Sequence, residues 1–144
     1  ALNSEITIRT YPTRLTEENA QEIISQYDIV VDGCDNFSTR YLINDICAEM
    51  GKVYVYGAIC GFEGQVSVFH YGEEKKSYRD LYPDEEEMRR MPPPPKGVMG
   101  ITPAVTGSIE ATEVLKIICG FGEVLSGKLW TIDLRTLQSN EFSL

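Results

Sequence analysis

The sequence predicts an α/β protein built on a mostly parallel sheet that continues into an antiparallel portion. Three observations carry this. Up to residue 58, β-prone runs alternate with stretches of helical spacing, the order expected of βαβ crossovers. "DIVVD", residues 28–32, is a short continuous apolar run, which suits a parallel strand covered on both faces. Beyond residue 58, "GFEG" joins "VYVYGAI" to "QVSVFHY", and a short glycine-bounded link between β-prone runs signals a hairpin.

Each element has its own local reason. "EITIRTY", residues 5–11, alternates apolar and polar residues with Ile6 and Ile8 on one face, and reads as a strand. Thr16 then caps a helix over "EENAQEIISQY", where Ala20, Ile23, Ile24 and Tyr27 recur at helical spacing. After "DIVVD", a second helix carries Leu42, Ile43, Ile46, Cys47 and Met50 as its buried stripe and ends at Gly51. Residues 72–101 form a charged, proline-rich crossover loop, because "DEEEMRRMPPPPK" is too polar for a core element and its prolines favour extended, solvated backbone. Thr102 and Pro103 supply an N-cap and a first-turn proline for a third helix, with Val105, Ile109, Thr112, Leu115 and Ile118 facing inward and Gly120 at its end. The tail, residues 127–144, reads as two strands with a turn near Arg135 to Ser139, and no internal repeat is present.

The 144 residues fit one domain. A net charge of −9 argues against a general nucleic-acid or membrane-surface role, since both need clustered Lys and Arg. Uncharged runs such as Val53 to Phe62 fall well short of the roughly 20 apolar residues that a membrane span requires. The cysteines Cys34, Cys47, Cys60 and Cys119 never form C-x-x-C and lie in apolar or helical stretches, the pattern of reduced core thiols in a cytoplasmic protein. With His70 as the single histidine, no zinc site is expected. The chain begins without Met and close to a strand, so the lack of a leader peptide carries little weight.

Chemistry concentrates at residues 32–40, "DGCDNFSTR". In open α/β sheets, ligands gather beyond the carboxyl ends of parallel strands, where helix N-termini present donors. Asp35 and Asn36 occupy such a place, and two readings stay open for them. Either residue can cap the helix that begins near Phe37. Alternatively, Asp35 holds Mg²⁺ and Asn36 contacts a nucleotide, since a hard carboxylate oxygen suits a cation bound to phosphates. Arg40, one turn later, either orients a substrate carboxylate or phosphate, or pairs with Asp45. No phosphate-cradling G-x-G-x-x-G or Walker loop lies in the sequence, so these residues amount to half a nucleotide site.

In order, "DIVVDGCDNFSTRYLIND", "GKVYVYGAICGFEGQVSVF", "YRDLYP", "GVMGITPAVTGSIEATEVLKIICG" and "LSGKLWTIDLRTLQSNEFSL" resemble the ThiF/MoeB/HesA family, adenylyltransferases related to ubiquitin-activating enzymes. The resemblance covers essentially residues 1–144 and resembles the C-terminal part of the family's Rossmann-like domain, starting after its nucleotide-binding half. It implies ATP-dependent adenylation of the C-terminal carboxylate of a small ubiquitin-like sulfur-carrier protein ending Gly-Gly. It also implies Asp35 as the magnesium-binding acid, Asn36 at the ATP site and Arg40 as the arginine of the D-N-x-x-x-R pattern. Gly61, Phe62, Glu63, Gly64 and Gln65 resemble the region beside the carrier's threaded tail, although a plain hairpin explains them equally well. A homodimer is expected, as among relatives.

The sequence also departs from the family. Ser77 and Asp80 stand where many members carry the C-x-x-C of a zinc site, and no cysteine lies between Cys60 and Cys119 to form a thioester or persulfide with a carrier. Cys34 is read as a packing residue rather than a nucleophile. The resemblance therefore implies adenylation by the intact parent and inactivity of these 144 residues alone. A degenerate carrier-binding or dimerisation module is the alternative. A dinucleotide-binding oxidoreductase fits the alternating elements but leaves "GFEGQV" unexplained, and which carrier and pathway are served, thiamine or molybdopterin among them, stays open.

Overall fold

A computed structural model describes residues 3–92 and 97–144. The first helix, α1 (Glu17–Ile24), starts at Thr16, whose backbone N–H donates to Asn19 Oδ1 at 2.9 Å, and it buries Ala20 and Ile24. Strand β1 (Ile29–Val31) follows, then α2 (Phe37–Met50), which Gly51 closes in the left-handed conformation at φ 63°. Strands β2 (Val53–Cys60) and β3 (Glu63–Phe69) pair antiparallel through a two-residue turn, with Cys60 opposite Glu63. Gly61 sits in that turn at φ 58°, a backbone that side chains with a Cβ rarely adopt. The short helices α3 (Tyr78–Leu81) and α4 (Glu85–Arg90) precede the long helix α5 (Ile101–Cys119), and β4 (Lys128–Asp133) and β5 (Gln138–Ser143) complete the chain.

The five strands lie in chain order, β1-β2-β3-β4-β5. β1 and β2 are parallel, with Ile29 opposite Val53, and the later strand pairs, β2 with β3, β3 with β4 and β4 with β5, are antiparallel. The sheet thus turns from parallel to antiparallel at β2, as the hairpin signal predicts. The strand alternation splits the core into two layers. Tyr54, Tyr56 and Phe69 face the helical layer, where they meet Tyr41 and Cys47 of α2 and Tyr78 of α3. Val55, Val66 and Val68 point the other way and pack with Leu125 and the Ile109 side of α5. The first layer is an aromatic cluster, with the Tyr41 and Tyr78 rings 5.0 Å apart edge to face, a favoured geometry for aromatic pairs.

Several expectations give way to tertiary context. Residues 5–11 form no strand, and Ile6 and Ile8 are exposed, because an alternating run becomes a strand only beside a neighbour that accepts its backbone hydrogen bonds. The segment is instead tethered by side chains, Arg9 Nη1 and Tyr11 Oη donating to Gln26 Oε1 at 2.9 and 3.2 Å. β1 is covered less than a doubly packed strand, with Val31 exposed. Within residues 72–101, α3 and α4 replace part of the expected extended loop, and Tyr78 is fully buried. Asp84 caps α4 by accepting from Glu87 N, and the Glu85–Arg89 and Glu86–Arg90 pairs suit a short exposed helix. Pro93, Pro94 and Pro95, most of the expected proline run, lie outside the described residues. Cys47 is buried and Cys34 half-buried, whereas Cys60 and Cys119 are exposed rather than core thiols.

The largest departure concerns α5. Gly100, not Thr102, is its N-cap, and Thr102 Oγ1 donates to the Gly61 carbonyl at 2.9 Å, tying the helix start to the hairpin. The face turned to the sheet carries Thr102, Thr106, Glu110 and Glu113 beside the expected Ile109, whereas Leu115 and Ile118, also expected to face inward, are 52% and 66% exposed. The sheet decides this. A Cβ on Gly64 would lie 2.2 Å from Thr106 Oγ1, and one on Gly57 would lie 2.2 Å from Glu110 Cδ. Glycines on two strands therefore make room for polar side chains that a fully substituted sheet would exclude.

Candidate functional site

Residues 32–36 leave the carboxyl end of β1 and lead directly into α2, so the start of that helix faces the place where α/β sheets bind ligands. Asn36 is the N-cap: its backbone is extended, and its Oδ1 accepts from Thr39 N at 2.9 Å. The Asn36 amide donates to Asp35 Oδ1 at 3.1 Å. Of the two readings open for this pair, capping therefore falls to Asn36. The Asp35 carboxylate is exposed just outside the helix start, where the orphan N–H groups of the first turn favour negative charge.

Arg40 points inward from the first turns of α2. Its Nε donates to Asp32 Oδ2 at 2.8 Å, and its Nη2 donates to the Cys34 carbonyl at 2.6 Å and, more loosely, to the Gly57 carbonyl at 3.4 Å. Asp32 in turn accepts from Tyr54 Oη at 3.0 Å on Oδ2 and from Cys34 N at 2.7 Å on Oδ1. The guanidinium carbon also lies 5.7 Å from the Tyr56 ring centroid. Burial works against the Arg40 charge, but Asp32 and the neighbouring tyrosines offset it and hold the guanidinium above its usual range. Arg40 thus staples the loop that carries Asp35. The alternative pairing with Asp45 is not made: Asp45 accepts from Arg79 Nε and Nη2 at 2.8 and 2.6 Å.

A cleft of about 140 Å³ opens beside this staple, lined among others by Asp32, Cys34, Arg40, Gly57, Thr106 and Glu110. Burial, with Asp32 adding to it, pushes the Cys34 thiol up to about 12, which leaves it protonated and a poor nucleophile at neutral pH. Burial also pushes the Glu110 carboxyl up to about 7; Asp32 raises it further and Arg40 opposes. Glu110 Oε1 and Thr106 Oγ1 are buried without a hydrogen-bond partner among the described residues. Reasoning from the sequence overlooked both, together with the buried role of Asp32. The signal was present as Thr102, Thr106, Glu110 and Glu113, a polar stripe as periodic as the apolar one chosen.

Gly61 to Gln65 do not line this cleft. Gly61 and Phe62 form the hairpin tip, and the Glu63 carboxylate meets Arg135 Nη2 at 3.0 Å. Gly64 lies under Thr106, and Gln65 Nε2 donates to the Tyr56 and Tyr82 hydroxyls at 2.9 and 3.1 Å on the α2 side of the sheet. The structure therefore brings Arg40 to the cleft, leaves Asp35 and Asn36 at the helix start beside it, and spreads the "GFEGQ" residues over both sheet faces.

Ser77 and Asp80 form a reciprocal cap at the start of α3, Ser77 N donating to Asp80 Oδ2 at 2.8 Å. Among the described residues no three His, Cys, Asp or Glu side chains converge as a metal cage. Mg²⁺ does not require one, because it keeps its waters and takes one or two carboxylates plus phosphate oxygens. The exposed Asp35 carboxylate, hydrogen-bonded only through Oδ1 among the described residues, fits that kind of donor set.

The sequence profile of the ThiF family matches residues 1–144. A probable molybdopterin-synthase adenylyltransferase of Pyropia yezoensis is 45% identical over 145 residues, covering 99% of this chain and 38% of that protein. A sulfur carrier protein adenylyltransferase of Thermus thermophilus is 47% identical over 145 residues, covering 92% of this chain and 51% of its own length. The chain thus spans between about two fifths and half of these relatives. Among solved structures, E. coli MccB with ATP superposes with a TM-score of 0.76 at 19% identity, over 98% of this chain and 43% of that one, a likeness of fold.

Proposed function

Because the chain belongs to the ThiF family, we propose that it is part of an enzyme that adenylates the C-terminal carboxylate of a small ubiquitin-like sulfur-carrier protein with ATP. The names of its relatives, molybdopterin-synthase adenylyltransferase and sulfur carrier protein adenylyltransferase, support that substrate class. In the proposed reaction a carboxylate oxygen of the carrier's Gly-Gly tail bonds to the α-phosphorus of ATP, and the bond from that phosphorus to the bridging oxygen breaks. Pyrophosphate leaves with the electron pair, and an acyl-adenylate remains. Such transfers depend on positioning and on neutralising charge as it moves between oxygens.

The observation that carries this reading is the division of labour at the α2 start. Asn36 caps the helix, so the exposed Asp35 carboxylate remains available to a cation. Asp35 would hold Mg²⁺, which supplies charge neutralisation at the phosphates when bound. Asn36 and the first turn of α2 supply neutral donors beside it. Arg40 serves as a positioning residue: its hydrogen bonds go to Asp32, Cys34 and Gly57, fixing the loop from which Asp35 projects. Gly61 and Phe62, at the hairpin tip that Thr102 fastens to α5, are the part of "GFEGQ" best placed to lie along an extended carrier tail.

We further propose that the active unit has the length of the relatives, works in the cytoplasm as a homodimer, and that these 144 residues alone do not adenylate. The absence of a glycine-rich phosphate loop from this sequence supports the last point. The same absence, with the lack of any cysteine between Cys60 and Cys119, favours the second reading, a carrier-binding module without chemistry. ATP–pyrophosphate exchange with a cognate carrier separates them: exchange by a protein of the relatives' length, and none by the 144 residues, is the expected outcome. Carrier binding without exchange by the longer protein supports the module.

A further inference from the structure

Glu110 has no role in the chemistry proposed above, yet its surroundings are built for it. The residue is 7% exposed, its Oε1 has no hydrogen-bond partner among the described residues, and its carboxyl fills the place that a Cβ on Gly57 would take. It shares the cleft with the Asp32–Arg40 pair. Arg40 reaches the same Gly57 through its carbonyl, and the nitrogen that does so also holds the Cys34 carbonyl.

We propose that Glu110 is a positioning residue for the Asp35 loop: while it carries its proton, Arg40 stays on Asp32 and Cys34, and when it loses the proton it competes for Arg40 and loosens residues 32–36. The inference deepens the proposed function, on which its catalytic consequence rests. A neutral carboxyl makes no claim on the guanidinium, so Asp32 holds Arg40 unopposed. An ionised one places a second acceptor of full charge among the buried Asp32 and Arg40, where charge interactions are stronger than in open solvent.

Among the described residues, few charged or titratable groups face Glu110. Asp32 and Cys34 come from the β1–α2 connection and Arg40 from α2. β2 presents the backbone of Gly57, and β3 presents Gly64 and Val66 toward α5. On α5 itself, Glu113 is occupied by Lys116 Nζ at 2.5 Å and by Leu125 N at 2.8 Å. Asp32 therefore disfavours ionisation of Glu110 and Arg40 favours it, and burial tips the balance toward the neutral form.

The test compares this chain with its Glu110→Gln variant, a neutral carboxyl mimic of the same shape. Backbone amide shifts of Cys34, Asp35 and Asn36 are recorded from about pH 5.5 to about pH 8.5. In the unaltered chain they are expected to move together with a midpoint near neutrality, and in the variant to stay still. Pyrophosphate exchange by a protein of the relatives' length is expected to fall severalfold between about pH 6.5 and about pH 8.5, with the decline absent in the variant. Loop amides that stay still in the unaltered chain, or that titrate equally in both, overturn the inference. Titrating amides with no exchange at any pH overturn the proposed function and leave the Glu110 linkage standing.

Discussion

Arg40 and Asp32, eight positions apart in sequence, form a buried ion pair with Nε and Oδ2 separated by 2.8 Å. The pair explains why a carboxylate sits at the end of an apolar strand. Asp32 anchors an arginine that holds the next loop from inside, so its neighbour Asp35 can face solvent from a fixed place.

Breaking that pair from one side should cost stability heavily. Arg40→Leu leaves Asp32 buried and unpaired, and the loss expected is about 3–5 kcal/mol, read from urea unfolding. Arg40→Lys should recover only part of it, because an ammonium gathers its donors on one nitrogen, whereas the guanidinium meets Asp32 through Nε and the Cys34 and Gly57 carbonyls through Nη2.

The two residues at the helix start should separate cleanly. Asn36→Ala removes the cap and should cost about 1 kcal/mol of stability. Asp35→Asn should leave the unfolding midpoint nearly unchanged, yet lower pyrophosphate exchange in a protein of the relatives' length by about 100-fold or more. An unchanged exchange rate would remove Asp35 from the metal site.

Stability should carry the Glu110 proton as a slope in pH. In the unfolded chain this carboxyl ionises near its ordinary 4.5, whereas in the fold it does so at about 7. Between those values the native state holds the extra proton, so the contribution is complete below the lower value and is lost as pH rises through the higher. Urea midpoints of the unaltered chain, set against Glu110→Gln, should diverge across that window, the unaltered chain falling relative to the variant.

The contact between Gly64 and Thr106 offers a double-mutant cycle. Gly64→Ala would bring a Cβ to 2.2 Å from Thr106 Oγ1, and overpacking of this kind costs about 1–3 kcal/mol. Thr106→Ala removes a buried hydroxyl that lacks a partner and should cost little alone. Combined, the two should recover most of the Gly64→Ala loss, giving a coupling well outside additivity.

Thiol reactivity should follow exposure. Cys60 and Cys119 are exposed, Cys47 is buried, and burial holds the Cys34 and Cys47 thiols up at about 12. Mass-spectrometric mapping after brief alkylation at mildly alkaline pH should find label at Cys60 and Cys119 first. Early label at Cys34 would contradict its packing role.

The sequence by itself determined what depends on near neighbours. The start and glycine stop of α2, the hairpin at Gly61 and the turn between β4 and β5 all follow from local backbone preferences, and the D-N-x-x-x-R run placed Asp35 at a helix start. Tertiary structure decided the rest, because each remaining choice depends on a surface contributed from elsewhere in the chain. Helical spacing offered α5 an apolar and a polar stripe alike, and the polar one joins Ile109 against the sheet because Gly57 and Gly64, on two separate strands, leave space for Glu110 and Thr106. The partner of Arg40 was decided in the same way: Arg79, far along the chain, takes Asp45, and the end of β1 presents Asp32 instead. Residues 5–11 alternate as a strand does, but the pattern becomes β-structure only where another strand's backbone lies alongside.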